Sequence, residues 1–202
     1  MAKLLLATGN RGKVREFEAL LRGVPFELVT PGQVHISTLV EESGKTYADN
    51  ACLKATALSS ESGLMTLADD SGIEVDALGG EPGIHSARFG GKGLSDSDRV
   101  NLLLLKLKNV PLEKRTARFV SVIAIAVPNG DVYYARGVCE GIIALEPKGA
   151  QGFGYDPVFY FPELGKTMAE LDLETKNRVS HRGKAAVEAR EILIGLAKNQ
   201  NS

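Results

Sequence analysis

Apolar and polar positions along the chain fall into short blocks whose period changes from one block to the next. Leu4-Leu5-Leu6-Ala7 is an unbroken apolar run without alternation, too short for a buried helix, and it predicts a strand covered on both faces. Thr8-Gly9-Asn10-Arg11-Gly12-Lys13 interrupts it with two glycines and small polar residues. From Val14 the spacing is helical, with Val14, Phe17, Leu20 and Leu21 at three- and four-residue steps. Phe26 to Thr30 predicts a second strand, closed by Pro31-Gly32. Thr46 is placed to cap a helix reaching Leu58, with Asp49 as its capping-box partner. Leu64 to Ala68 predicts a further covered strand that ends at Asp69-Asp70-Ser71-Gly72, and Ile73 to Leu78 alternates as a half-exposed strand does.

Gly79 to Gly93 reads as a long glycine-bearing loop, a length that compact domains use for functional or mobile segments. Within it Arg88 is placed to meet a phosphate or to pair with an acid, and His85 reads as solvent-exposed. Ser95-Asp96-Ser97-Asp98 opens a helix carrying Val100, Leu103, Leu104 and Leu107. Thr116 to Val127 predicts a long strand, Pro128-Asn129-Gly130-Asp131 a hairpin turn, and Val132 to Cys139 its partner, with Gly141 to Leu145 continuing the sheet. A second glycine-rich loop, 149–157, leads into a strand from Val158 to Phe161. A basic stretch, 176–184, precedes a last helix that Ser180 can cap and that extends to Ala197. A βα-like start followed by an antiparallel middle predicts an α/β fold: one mixed β-sheet with flanking helices.

Composition narrows the function. The 202 residues suit a single domain spanning 1–202. A net charge of −1 removes the global basic footprint of a non-specific nucleic-acid binder. No apolar run approaches the roughly 20 residues of a membrane span, and the N-terminal run is too short for a secretory signal. Cys52 and Cys139 lie far apart without metal-like spacing, which suits reduced thiols in a cytoplasmic protein.

Three places carry candidate chemistry. The strand–turn–helix at Thr8 to Lys13 aims backbone N–H groups and a positive helix end at an anion, and Lys13 opposes the helix dipole unless a negative ligand visits. Neither the P-loop nor the dinucleotide fingerprint fits its spacing, so an ordinary turn with a surface lysine is the competing reading. Asp69 and Asp70, at the expected C-terminal end of a strand, repel each other. A hard cation such as Mg2+ relieves that repulsion and favours one or two carboxylates plus substrate phosphates; a plain turn needs only one of the acids. Asn50 and Lys54 share a helix face. Phe153 and Tyr155, spaced by Gly154, are free either to flank a flat base or to enter the core. The basic stretch suits a phosphate or a base edge, or a solvated surface.

Together these pieces resemble one family, the inosine/xanthosine triphosphate pyrophosphatases. The resemblance runs through Thr8 to Lys13, Glu41-Glu42-Ser43-Gly44, Asn50-Ala51 with Lys54-Ala55, Ala68-Asp69-Asp70-Ser71-Gly72, Gly79 to Gly83 with Ser86-Ala87-Arg88, Gly152 to Pro157, and Ser180-His181-Arg182-Gly183. It departs at Ser43, where threonine is frequent, and at Asp49, where glutamate is. The resemblance implies hydrolysis of non-standard purine nucleoside triphosphates (ITP, dITP, XTP) to the monophosphate and pyrophosphate with Mg2+, by a cytoplasmic homodimer with two lobes around a cleft. It implies substrate contacts at Thr8, Gly9, Asn10, Arg11, Gly12, Lys13, Ser71, Phe153, Gly154, Tyr155, Asp156, Lys176, His181 and Arg182. It implies Asp70 as proton acceptor, Lys54 as a catalytic phosphate contact, and Glu41, Asp69 and Asp70 as metal ligands. A Maf-like pyrophosphatase for modified pyrimidine nucleotides and a non-catalytic nucleotide-binding module are the alternatives.

Overall fold

The structure is a computed structural model and describes residues 1–199. Seven strands form one mixed sheet in the order β2-β1-β3-β4-β5-β6-β7. They are β1 (Ala2–Leu6), β2 (Phe26–Val29), β3 (Met65–Val75), β4 (Thr116–Ala126), β5 (Val132–Ile143), β6 (Phe159–Phe161) and β7 (Lys166–Thr167). The helices are α1 (Arg11–Leu20), α2 (Tyr47–Ser62), α3 (Asp96–Lys106), α4 (Leu173–Val179) and α5 (His181–Asn199). β1 pairs in parallel with β2 and with β3, Leu5 lying opposite Val29 on one side and Thr66 on the other. The far end is antiparallel, with Ile142 opposite Tyr160 and Tyr160 opposite Thr167.

A strand inside a parallel sheet is buried on both faces, and this explains the unbroken apolar run of β1. Leu4 and Leu6 face a core with Phe17, Leu21, Met65, Leu67, Ile123, Ala185 and Leu193. Leu5 and Ala7 face another with Ala51, Ala55, Leu58, Ala68 and Ala124.

The chain divides into two compact units. One comprises Met1–Asp70, Ser121–Gly137 and the segment from Arg182 onward; the other comprises Ser71–Val120 and Val138–His181. Both cores just described belong to the first unit. The second unit has its own, built from Ile73, Val75, Leu103, Leu107, Phe119, Ile143, Tyr155, Phe159 and Met168.

Three expectations change. The expected turn at Asp69-Asp70-Ser71-Gly72 is the interior of β3, so the strands expected on either side of it are one. Those residues are turn formers by type, but the extended backbone is held by the sheet, and Asp69 and Asp70 find side-chain partners on neighbouring elements. The basic stretch 176–184 lies in two helices: Asp172 caps α4 by accepting from the Thr175 N–H at 2.8 Å, and α5 starts at His181. Ser180 closes the α4 turn, its N–H donating to Lys176 O at 2.8 Å, and stands with extended backbone immediately before α5, the position expected of it. β3 stops at Val75, so Asp76–Leu78, expected to be extended, is a 3-10 turn; a second one, Gly83–Arg88, lies in the long loop, where Arg88 Nε donates to the exposed His85 at 3.1 Å.

Gly141 sits where β5 meets β6. A Cβ there would lie 2.6 Å from the Tyr160 carbonyl oxygen and 2.6 Å from the Phe159 ring. Gly141→Ala must therefore move backbone, and we expect a loss of about 1–3 kcal/mol. Urea unfolding of the variant beside the parent measures it.

Candidate active site

The first unit gathers a network of charged groups from α1, α2, β3, β4 and α5. At the start of α1, Asn10 is the N-cap, and its Oδ1 accepts from the Gly12 and Lys13 N–H groups at 2.8 and 3.1 Å. Asparagine is among the preferred N-cap residues, and its cap engages two donors that the sequence suggested were free for an anion. Thr8 Oγ1 accepts from the Asn10 N–H at 3.1 Å, while Gly9, Asn10 and Arg11 are exposed. The cation this turn sends inward is Lys13. Its Nζ lies 2.8 Å from Asp69 Oδ2 and 3.2 Å from the Asp69 carbonyl.

β3 separates the two acids. Successive residues of a strand point to opposite faces. Asp69 shares the face of Met65 and Leu67, and Asp70 that of Ala68 after one further reversal, toward α2. Asp69 Oδ2 takes Lys13 together with Nη2 and Nε of Arg182, at 3.0 and 3.3 Å, and Ser121 Oγ donates to Oδ1 at 2.5 Å. Arg182 Nη1 reaches Glu16 on α1 at 2.6 Å. Asp70 Oδ1 receives Lys54 Nζ at 2.9 Å, and Oδ2 receives Asn50 Nδ2 at 3.4 Å. Lys54 also meets Glu42 Oε1 at 2.8 Å and the Asp69 carbonyl at 3.1 Å. The adjacent acids therefore do not share a site: each has its own cations.

Burial and partners act differently on the two acids. Burial opposes charge on Asp69, but Arg182 and Lys13 overrule it and hold the carboxyl well below the usual carboxylate range. Burial wins at Asp70, whose pKa is raised although Lys54 pulls it down. Lys54 itself is raised, because Asp70 and Glu42 together outweigh its burial. The pair thus looks inconsistent until Glu42 is counted: the lysine serves two carboxylates, and Asp70 has only a share of it. Burial lowers Lys13, aided by the charges of Arg182 and Lys54.

The second unit holds another cluster, on the loop 149–157 and α4. Lys176 forms a buried ion pair with Asp156, and its ammonium lies 5.0 Å from the centre of the Phe153 ring. Asp156 Oδ2 also accepts from the Phe153 N–H at 2.9 Å. Only a glycine at 152 permits this, since a Cβ there would stand 2.0 Å from Asp156 Oδ2 and the backbone has φ +75°. Gly154 N–H donates to Asp96 at 2.8 Å. Phe153 is half-buried, whereas Tyr155 is a core residue whose hydroxyl donates to Ser86 O at 2.9 Å. The two rings flanking Gly154 therefore have different surroundings, one half-exposed and the other in the core. His181 is buried and stacks on Phe119, with ring centres 4.6 Å apart. Ser71 is half-buried on β3.

Lys13, Lys54, Asp69, Asp70 and Arg182, scattered over most of the sequence, thus come together. Glu41 is exposed, and it is the neighbouring Glu42 that meets Lys54. Sequence reasoning missed Glu42, Glu16 and Ser121. Ser121 left a readable signal, a lone hydroxyl in the apolar run from Phe119 to Ala126. Glu16, three residues after Lys13 on α1, left only that spacing. Among the described residues no group of three or more His, Cys, Asp or Glu side chains is arranged to hold a metal ion.

Similarity to known proteins extends along nearly the whole chain. A model of the Ham1 family matches residues 4–192. The dITP/XTP pyrophosphatase of Desulforamulus reducens is 54% identical over 198 residues, covering 98% of both chains. That of Geobacter sulfurreducens is 49% identical over 185 residues, covering 92% of this chain and 93% of the relative. Among solved structures, a HAM1 protein from Coxiella burnetii superposes with a TM-score of 0.87 at 38% identity, covering 96% of this chain and 98% of the other. The Staphylococcus aureus Ham1 protein gives 0.85 at 39% identity with the same coverage. With a shared fold and this level of identity along nearly its whole length, the chain belongs to the Ham1 family.

Proposed function

We propose that the Lys54–Asp70 pair is the reacting centre of a nucleoside triphosphate pyrophosphatase, and that Asp69 and Arg182 are its buried framework. The chain is a hydrolase that cleaves non-standard purine nucleoside triphosphates, dITP and XTP among them, to the monophosphate and pyrophosphate. The purine substrates in the relatives' names leave the Maf-like pyrimidine reading without support. The observation that carries the division of labour is the contrast between the two acids. Asp69 is saturated by Lys13, Arg182 and Ser121, while Asp70 has its proton affinity raised by burial.

Asp70 takes the proton of the water that attacks the α-phosphorus, a role worth about 10²–10⁴-fold. Lys54, four residues along α2 from Asn50, and Lys13 supply fixed positive charge to the phosphates. Arg182, 2% exposed and bonded to Asp69 and Glu16, positions Asp69 rather than touching the base. Phe153 offers a half-buried face for the base, with Lys176 behind it. His181 or a backbone N–H donates to the purine 6-carbonyl, which adenine lacks.

The donor set fits a divalent cation that arrives with the substrate. Lys13, Lys54 and Arg182 stand against Glu16, Glu42, Asp69 and Asp70, so the ionised network is one charge short of neutral and repels a polyphosphate by itself. Asp70 with Glu42 or its neighbour Glu41 would hold the ion, within the one or two carboxylates that Mg2+ favours beside phosphates. When bound, Mg2+ neutralises and orients the polyphosphate. With this reading go a homodimer and residence in the cytoplasm, both drawn from the family resemblance. No helix among the described residues is long and apolar enough to cross a membrane.

A panel of ITP, dITP, XTP, ATP, GTP, dTTP and UTP, each with and without Mg2+, tests the substrate class. We expect the first three to exceed the others by at least about a hundredfold in kcat/KM, since a site built around a carbonyl leaves buried groups unpaired with the wrong base. Equal turnover of ATP or dTTP would sink it. Asp70→Asn should lower kcat by about 10²–10⁴-fold while nucleotide binding, followed by calorimetry, persists; near-parental turnover would remove Asp70 from the role. Asp69→Asn should instead act on folding, costing about 3–5 kcal/mol at pH 7 because two buried cations lose their anion. The folded-state pKa of Asp69 is depressed, so its contribution is present above the unfolded value of about 4 and fades as pH falls further. Urea unfolding of parent and variant from pH 7 to pH 3 should show the gap closing only below about pH 4.

A further inference from the structure

Asn50 is wholly buried on the inner face of α2, between the capping turn and Lys54. Its neighbours on that face are Ala51 and Ala55, and asparagine is a poorer helix former than alanine by about 0.5 kcal/mol. Both ends of its amide are used. Oδ1 accepts the Gly44 N–H at 2.8 Å, and Nδ2 donates to Asp70 Oδ2 at 3.4 Å. The orientation follows from chemistry: reversed, the amide would turn its NH2 onto another N–H and its oxygen onto a carboxylate. Gly44 ends a segment, 36–44, that has neither helix nor strand and that carries Glu41 and Glu42. It approaches so closely that a Cβ at 44 would lie 2.7 Å from Asn50 Oδ1 and 2.5 Å from the Asp49 Cβ. One side chain therefore touches the acidic segment with its acceptor and Asp70 with its donor, while Lys54, one turn along, touches Glu42 and Asp70.

We propose that Asn50 is a positioning residue for the hydrolysis, fixing the Asp70 carboxylate and the Glu41-Glu42 segment in register through its single amide. This rests on the assignment of Asp70 as proton acceptor. With the donor present, Asp70 has one oxygen on Lys54 and the other on Asn50, so its plane is set. With the acceptor present, the segment is held at Gly44 whether or not Lys54 is engaged. Neither end needs contact with substrate.

The two ends can be cut separately. Asn50→Asp keeps the acceptor for Gly44 and removes the donor to Asp70; Asn50→Leu removes both at similar volume. The expected result for Asn50→Asp is a kcat on ITP with Mg2+ about a hundredfold below the parent, the scale of a misplaced reacting group, with KM within a few-fold. Hydrogen exchange at the Gly44 amide should stay within about threefold of the parent in Asn50→Asp and speed up by at least about tenfold in Asn50→Leu, since only the second loses the bond. If Asn50→Leu fails to fold, Gly44→Ala cuts the same tether from the other side and should speed exchange at the amide of position 44 itself by a similar factor. In an Asp70→Asn background Asn50→Asp should add less than about twofold, because residues acting through one group are not additive. Parental kcat in Asn50→Asp, the full hundredfold loss repeated on top of Asp70→Asn, or unchanged exchange when the tether is cut would each overturn the proposal. If Asp70→Asn alone turns over like the parent, the proton-acceptor assignment fails and takes this one with it; if that variant is dead while Asn50→Asp is unimpaired, only the positioning role falls.

Discussion

The first unit is organised around one buried carboxylate. Asp69 is 3% exposed and accepts from Lys13, Arg182 and Ser121. Such an anion is stable inside a protein only when its partners are complete; an unpartnered charge there costs several kcal/mol. The requirement reaches outward. Arg182 needs Glu16 for its remaining edge, so α1, β3, β4 and α5 must all be in place before the network closes. Buried ion pairs are weak evidence of stability, because apolar residues of the same shape often do as well. What this one does is join four elements from the start, the middle and the end of the sequence at one point.

That arrangement frees the neighbouring acid. With Asp69 neutralised, the backbone of β3 can present Asp70 to the other face without a bare charge beside it. Asp70 then sits among fewer cations, its proton affinity raised by burial and tempered by Lys54. Two residues of one type, adjacent in sequence, thus have opposite proton affinities because a strand turns them to different surroundings. Pairs of titratable groups pushed apart in this way mark acid–base assignments in enzymes.

The second unit shows the same logic on a loop. The carboxylate of Asp156 folds back on the Phe153 N–H and on Lys176 only because residue 152 has no side chain. The loop is also pinned from outside, by Asp96 to Gly154 and by Tyr155 to Ser86. This glycine-rich stretch is a tightly tied element.

Much of this was legible in the residues. The apolar run at Leu4 to Ala7 marked a strand covered on both sides, the cap at Thr46 and the acidic start at Ser95 to Asp98 marked helix starts, and the motifs together pointed to a nucleotide pyrophosphatase. These are local signals, set by side-chain period and by hydrogen bonds that span three or four residues. The sequence by itself also singled out Lys13, Lys54, Asp69, Asp70 and Arg182, though not Glu16 or Glu42, which complete their network. It did not determine how they pair, since pairing depends on which face of β3 each acid takes and on helices far away in the chain. Asp69-Asp70-Ser71-Gly72 is a turn by composition, and only the sheet around it makes it a strand. Glu41 and Glu42 are equivalent as residues, and only the approach of Gly44 to α2 decides that Glu42 meets Lys54. Which residues carry charge is written in the chain; which charges neutralise one another is decided by three-dimensional proximity.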